Sequence, residues 1–373
     1  MKKQIVVLGA GMVGRVMAID LAKNYNVKSV DANEKNLALL KPHGIETEVT
    51  NLHDEKKIKS VIKKADVVVG AVPGFMGFNM VKAVINAGKS IADISFFPED
   101  AFRLNQLAEE KNVTAAIDCG VAPGMDNIIL GYHAARMKVH EFVCYVGGLP
   151  FTRTLPYQYK APFSPIDVIE EYTRPARFIK DGKEIVMPAL TEPEFVEMEP
   201  IGTLEAFNSD GLRTLLRMKI LNMKEKTLRY PGHREFMEQL RDGGFFSEDE
   251  IVVNGNPVRP IDVTSAVMLP RWKYEKAENE FTIMRIIVKG IEKKKSVSYQ
   301  YDLFDTFDFS TNSSSMARTT GFVCTAVATL IAEGMYPQKG IIAPEFLGKE
   351  KKCFDFILNY LKERNVNYKF SEK

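Results

Sequence analysis

The segment from Gln4 to Asp31, QIVVLGAGMVGRVMAIDLAKNYNVKSVD, leaves few folds open to the chain. Gln4 to Leu8 is a short β-branched run of the kind that is buried on both faces of a parallel sheet. It stops at Gly9-Ala10-Gly11-Met12-Val13-Gly14, a GxGxxG turn. Gly9 lets the chain leave the strand sharply, Gly11 lets backbone approach a pyrophosphate, and Gly14 lets the next helix close on the sheet. That helix, Met12 to Lys23, places Val13, Val16, Met17, Ile19 and Leu21 at helical spacing. Its first-turn N–H groups at Met12 and Val13 have no intrahelical partner, and the positive end of the dipole favours an anion there. A second strand, Val27 to Val30, ends at Asp31, seventeen positions after Gly14. A carboxylate at that distance accepts hydrogen bonds from the adenosine ribose hydroxyls and repels a 2′-phosphate, so a dinucleotide site with NAD preferred over NADP is expected.

Strand and helix continue to alternate as far as Asp118, and the expected fold class is α/β: an N-terminal Rossmann domain with a doubly wound parallel sheet. Helices are expected around Leu37 to Leu40, over Asp54 to Lys64, over Asn79 to Ala87 and over Glu99 to Lys111, with strands at Ile45 to Val49, Asp66 to Ala71, Ser90 to Asp93 and Val113 to Asp118. Six strands and five crossovers result. The loop Val72 to Gly77 falls at the carboxyl edge of the sheet, so Ala71, Val72, Pro73 and Gly74 are expected against the cofactor. Beyond Asp118 a long helix, Met125 to Met137, leads into strands with looser spacing, proline-rich loops and aromatics. Phe281 to Lys289 and Ser296 to Asp302 read as a hairpin whose tip carries Lys293, Lys294 and Lys295, a solvated turn rather than a binding patch. Thr319 to Met335 is an apolar helix of small side chains, expected to return to the first domain before a closing helix, Lys351 to Arg364. The expected division is residues 1–123 for the nucleotide domain, 124–310 for an α+β substrate and dimerisation domain, and 311–373 for the returning helices.

A chain of 373 residues suits two domains, and 45% hydrophobic with 26% charged residues is ordinary for a globular protein. A net charge of +2 gives no reason to expect nucleic acid or an anionic membrane as a partner. The four cysteines, Cys119, Cys144, Cys324 and Cys353, are scattered without metal-ligand spacing, which suits a reducing cytoplasm and no structural metal.

Further motifs are GAGMVG, AVPGFMGF (Ala71 to Phe78), ADISFFPE (Ala92 to Glu99), DCGVAPGMDN (Asp118 to Asn127), YVGGLP (Tyr145 to Pro150), EEYTRPAR (Glu170 to Arg177), SDGLRT (Ser209 to Thr214) and TLRYPGH (Thr227 to His233). Together they resemble the saccharopine dehydrogenase-like oxidoreductases over nearly the whole chain, and among these most closely the lysine 6-dehydrogenases. The resemblance implies a Rossmann domain, a substrate domain whose open sheet serves a homodimer, and NAD or NADP as hydride acceptor. Saccharopine reductases of that family carry a tyrosine, an aspartate and a cysteine where Phe96, Ala122 and Val146 stand here. A less polar site favours lysine over a two-carboxylate adduct.

Oxidising lysine at C6 calls for a base, a partner for the α-carboxylate and dry walls. Asp118 is the first candidate base and Asp93 the second; either also suits capping of its adjacent turn. His233 is an alternative base or a polar contact, or else an exposed loop histidine. By resemblance Arg229 binds the substrate carboxylate. Arg174 assists it or pairs with Glu170 or Glu171. Asp210 holds the α-ammonium or caps a helix before Leu212, and Tyr159 walls off water or packs in the core. The expected function is NAD-dependent oxidative deamination of lysine in the cytoplasm. Reductive condensation of an amine with an aldehyde, to saccharopine or carboxynorspermidine, is the enzymatic alternative, and a non-catalytic NAD-binding dimer is the other.

Overall fold

The computed structural model describes residues 2–275 and 278–372, and the chain divides into two compact units. The first comprises Met1–Met137 and Met316–Asn367, the second Lys138–Ser315 and Tyr368–Lys373.

In the first unit, β1 (Gln4–Leu8), β2 (Asn26–Asp31), β3 (Glu46–Val49), β4 (Val67–Gly70), β5 (Ser90–Asp93) and β6 (Thr114–Ala116) form one parallel sheet. The β-branched residues of β1 and β4 are almost wholly buried, as both faces of such a sheet are covered by helices. A seventh strand, Gly340–Ile342, adds beside β6, so the count of six falls one short. Three residues between proline-flanked turns carry too little periodicity to read as a strand. The order is Gly340–Ile342, β6, β5, β4, β1, β2, β3. The direction of winding reverses between β1 and β4, where a doubly wound sheet opens a crevice at its carboxyl edge.

Helix Gly74–Asn86 starts inside the stretch expected to be a loop, because Pro73 supplies its N-cap and Gly74 its first turn. Helix Met125–Ala134 groups with the first unit rather than opening the second. The reason is close packing on helix Pro344–Lys349: a Cβ on Gly131 would lie 2.1 Å from the Glu345 carbonyl oxygen, and one on Gly348 2.0 Å from that of Ile128. Helix Ser315–Ala332 is long and apolar enough by length and composition to cross a membrane, yet 78% of it is buried inside the protein. Helix Lys351–Lys362 closes the first unit.

The second unit is built on a nine-stranded mixed sheet. Its long central strands are β7 (Lys138–Pro150), Glu280–Glu292 and Lys295–Thr306, with Asn222–Arg229 parallel to β7 and the chain's last strand, Tyr368–Glu372, at one end. Helices Pro165–Thr173, His233–Asp242 and Pro260–Met268 contribute to its core, which gathers Tyr172, Phe207, Trp272 and Phe281. Lys293 and Lys294 form the exposed hairpin turn.

Candidate functional site: a nucleotide turn and a buried arginine cluster

The glycine turn has the geometry its spacing predicts. Gly9 stands at φ +108°, where an L side chain is strained, and a Cβ there would lie 2.3 Å from the Ala71 carbonyl oxygen. A Cβ on Gly14 would lie 2.1 Å from the Gly9 carbonyl oxygen, whereas one on Gly11 would meet nothing within 4 Å. Two glycines are therefore demanded by the protein itself, and the third faces open space at the N-terminus of helix Met12–Ala22. No side chain caps that terminus and no acidic residue sits in its first turn. The N–H groups and the positive dipole end are left for an anion.

Asp31 closes the other side of this turn. Its Oδ2 accepts from the Ala10 amide at 2.6 Å and its Oδ1 from the Asn33 amide at 2.7 Å. Each oxygen keeps a further lone pair for a hydroxyl. The Ala71 amide donates to the Leu8 carbonyl, so the end of β4 is fixed against the turn. The Val72 side chain is directed into the apolar core, which leaves only its backbone to face a ligand.

Both carboxylates expected at the sheet's carboxyl edge are there, in different states. Asp93 is fully buried at the end of β5, accepting from the Ser95 amide at 3.0 Å and the Ser95 hydroxyl at 2.9 Å. It is a turn-forming carboxylate, tight over β4: a Cβ on Gly70 would sit 2.1 Å from its Oδ1. Asp118, two residues past β6, is also buried and stands at φ +54°. Left-handed backbone at a non-glycine residue costs on the order of 1 kcal/mol and is concentrated at working sites. After it, the turn through Gly124 is tied by Gly120 N–H to the Pro123 carbonyl and Met125 N–H to the Gly120 carbonyl. Asp126, at the head of helix Met125–Ala134, is a further buried carboxyl: Oδ1 accepts from the Gly124 amide, while Oδ2 has no partner among the described residues. Burial pushes its pKa up to about 7, with neighbouring Glu345 adding to the rise.

In the second unit the expected residues gather around Arg229, at the end of strand Asn222–Arg229. Its Nη2 donates to Glu171 Oε2 at 2.6 Å, its Nη1 to the Leu228 carbonyl at 2.9 Å and its Nε to the Tyr172 hydroxyl at 3.2 Å. The guanidinium stacks over Tyr159, 4.4 Å from the ring centroid. His233 is buried in the same cluster. Its Nδ1 lies 2.7 Å from the Tyr157 carbonyl, which only accepts, so Nδ1 carries the proton and Nε2 accepts from the Tyr172 hydroxyl at 2.9 Å. A relay runs from Arg229 through Tyr172 to His233. Burial, reinforced by the charge of Arg229, holds the His233 pKa down to about 3. His233 is thus no exposed loop histidine: with both nitrogens engaged and its cation disfavoured, it is the polar contact of the two readings rather than the base. Burial also raises the pKa of Glu171, against the pull of Arg229.

Of the two readings of Arg174 the structure shows the ion pair, with Glu170 one helical turn away. The expectation for Asp210 is corrected. Asp210 takes both NH donors of the Arg177 fork, at 2.8 Å each, and the cap of the following helix is Leu212. It holds an arginine rather than an ammonium. Tyr159 does pack in the core, under Arg229. Sequence reasoning gave Glu171 only as an alternative partner of Arg174 and passed over Tyr172 and Trp272. Glu171 and Tyr172 lie in the EEYTRPAR segment, and only helix Pro165–Thr173 turns them toward Arg229. Trp272 packs edge-on against Tyr157, Tyr159 and Tyr172 with no partner for its indole N–H among the described residues. All four cysteines are free and buried, and among the described residues no cluster suits a metal ion.

Comparison with known proteins covers both units. The family model for the saccharopine dehydrogenase NADP binding domain matches residues 5–116, and that for the saccharopine dehydrogenase C-terminal domain matches residues 120–366. A saccharopine dehydrogenase (NADP(+), L-glutamate-forming) of Pyricularia oryzae is 28% identical over 269 residues, 66% of this chain and 59% of that relative. The Saccharomyces cerevisiae protein of the same name is 25% identical over 283 residues, 69% of this chain and 62% of the relative. The chain thus spans less than two thirds of the length of either. The solved apo structure of saccharopine dehydrogenase (L-Glu forming) from Saccharomyces cerevisiae shares the fold, with a TM-score of 0.79 at 20% identity and full coverage of both chains.

Proposed function

The chain belongs to the saccharopine dehydrogenase family, and from that premise we propose that it is a nicotinamide-dependent oxidoreductase acting on the C–N bond of an amino acid. The observation that carries this reading is the turn at Gly9 to Gly14, closed by backbone at two glycines, open at the third and rimmed by Asp31. Gly11, Met12 and Val13 would hold the pyrophosphate on backbone N–H groups, and Asp31 would take the ribose hydroxyls. The matching family model and both relatives carry NADP in their names; Asp31 supports NAD as the preferred form here, since a carboxylate repels a 2′-phosphate.

The substrate we propose is L-lysine, oxidised at C6 to 2-aminoadipate 6-semialdehyde with release of ammonia. When bound, the nicotinamide supplies the hydride acceptor. Asp118 takes the proton that leaves the terminal ammonium, so that the neutral amine is the species that loses hydride; once it has passed that proton to solvent it takes one from the water that adds to the imine and returns it to the nitrogen that departs as ammonia. Arg229 binds the α-carboxylate, held in plane by Glu171, Tyr172 and Tyr159. Phe96, Ala122 and Val146, where saccharopine reductases have polar groups, support the smaller substrate. The names of the relatives favour a second reading, oxidation of saccharopine at its secondary amine. We further propose a cytoplasmic homodimer, in keeping with the four buried free thiols and a wide mixed sheet in the second unit.

The test is absorbance at the reduced-nicotinamide band with purified protein, NAD and L-lysine at alkaline pH, with saccharopine in parallel and ammonia assayed at the end. Lysine-dependent reduction with matching ammonia is the expected result. Silence with lysine and turnover with saccharopine moves the assignment to the secondary amine.

A further inference from the structure

Arg15 follows Gly14 directly and has no place in the reading of the turn so far. Its side chain is half-buried, and its hydrogen bond among the described residues runs from Nη1 to the Ala10 carbonyl at 3.3 Å. Asp31 grips the same residue from its other end, through the Ala10 amide at 2.6 Å. An anion and a cation are thereby fastened to one residue of the turn, on the side where the adenosine ribose would lie. Their charges act on each other: burial lowers the Arg15 pKa and Asp31 pulls it back up. One long bond to Ala10 leaves most of the five-donor guanidinium fork uncommitted, and that fork suits the oxygens of a phosphate.

An isolated carboxylate at the ribose edge would exclude a 2′-phosphate, but a carboxylate balanced by a guanidinium fastened to the same residue excludes it far less. We propose that Arg15 is the second specificity-determining residue of the nucleotide site, forming with Asp31 a charge-balanced pair that admits both NAD and NADP. Asp31 accepts from the 2′-hydroxyl of the first, and Arg15 donates to the 2′-phosphate of the second. NAD remains the tighter ligand, because its hydroxyls meet a carboxylate already in place. This inference rests on the dinucleotide reading of the turn and on nothing assumed about the amino acid substrate.

The experiment is calorimetric titration of the full-length protein with NADH and NADPH, without substrate, for the wild type, Arg15→Gln, Arg15→Lys and Asp31→Ser. The wild type is expected to bind both. Arg15→Gln should lose about tenfold or more in NADPH affinity while NADH changes by less than about threefold, and Arg15→Lys should retain NADPH. Asp31→Ser, with Arg15 in place, should bind NADPH more tightly than the wild type does. Equal losses for both nucleotides in Arg15→Gln, unchanged NADPH binding in Asp31→Ser, or a wild type that binds NADH and rejects NADPH would each overturn the proposal. A wild type that binds neither nucleotide overturns the dinucleotide reading itself, which separates the two failures.

Discussion

At the glycine turn the groups proposed for the phosphates are backbone amides, and the protein leaves space where a Cβ on Gly11 would stand. Around Arg229 the working groups are side chains from several elements, packed until the guanidinium, a phenol and an imidazole form one relay. The first region is cheap to build, since a strand, a turn and a helix in series suffice. The second is expensive: burying an ion pair costs several kcal/mol per charge in desolvation, which mutual attraction rarely exceeds by much. A structure that retains such a pair retains it for the geometry it imposes, here a guanidinium held flat against Tyr159.

The largest expected effect follows from that cost. Arg229→Leu leaves Glu171 without its cation and should lower unfolding stability by about 3–5 kcal/mol in denaturant titrations, with turnover lost. Replacing both, Arg229→Leu with Glu171→Leu, should restore most of the stability and none of the turnover. A double variant as unstable as the single one would mean that the pair serves stability first, and the contrast drawn here would fail. At the turn, Gly14→Ala forces a Cβ to within 2.1 Å of a carbonyl oxygen and should cost on the order of 1–3 kcal/mol and abolish nucleotide binding. Gly11→Ala should fold with an unchanged melting temperature and weaken NAD alone. Equal destabilisation by the two would contradict the division of labour among the glycines.

Two buried groups, one in the Arg229 cluster and one at the head of helix Met125–Ala134, are expected to respond to pH with opposite signs. His233 has its folded pKa depressed to about 3 from an ordinary 6.5, so between those values the unfolded chain binds the extra proton. Its contribution is complete above pH 6.5 and is lost as pH falls toward 3. Asp126 has its folded pKa raised to about 7 from 3.8, so the folded chain binds the extra proton. Its contribution is complete below pH 3.8 and is lost as pH rises through 7. Each slope is on the order of 1 kcal/mol per pH unit at most. Melting curves of His233→Gln should be flatter than wild type on the acid side, and those of Asp126→Asn flatter toward neutrality; the same slope change in both would be wrong. The smallest effect is at Asp31: Asp31→Ser should weaken NAD by about tenfold, since it removes one charged acceptor, and fluorescence titration with NADH measures it.

The same contrast decides what could be read without coordinates. Gly9, Gly11, Gly14 and Asp31 were legible because the nucleotide turn is continuous in sequence and each glycine answers a backbone requirement. The Arg229 cluster was legible only at Arg229, Tyr159 and His233, and the sequence left His233 open between base and polar contact. Its depressed pKa comes from burial and the charge of Arg229, and its Nε2 partner is Tyr172, 61 positions away, none of which spacing reveals. Asp210 was misassigned because an unpaired charge in a sequence looks available, whereas folding pairs it with Arg177; Arg174 could be read either way until the helix set it beside Glu170. The missed strand Gly340–Ile342 and the early start of helix Gly74–Asn86 are of a third kind, in which proline and glycine punctuation hides an element rather than ending one.

The most direct measurement follows hydrogen itself. L-lysine carrying deuterium at both positions on C6 would be incubated with the protein and NAD, and the reduced nucleotide isolated for mass and proton NMR analysis. Deuterium at C4 of the nicotinamide, one per turnover, with ammonia in equal amount, is the expected result. Reduced nucleotide that carries only protium while lysine is consumed would place the oxidation at another carbon and contradict the proposed reaction.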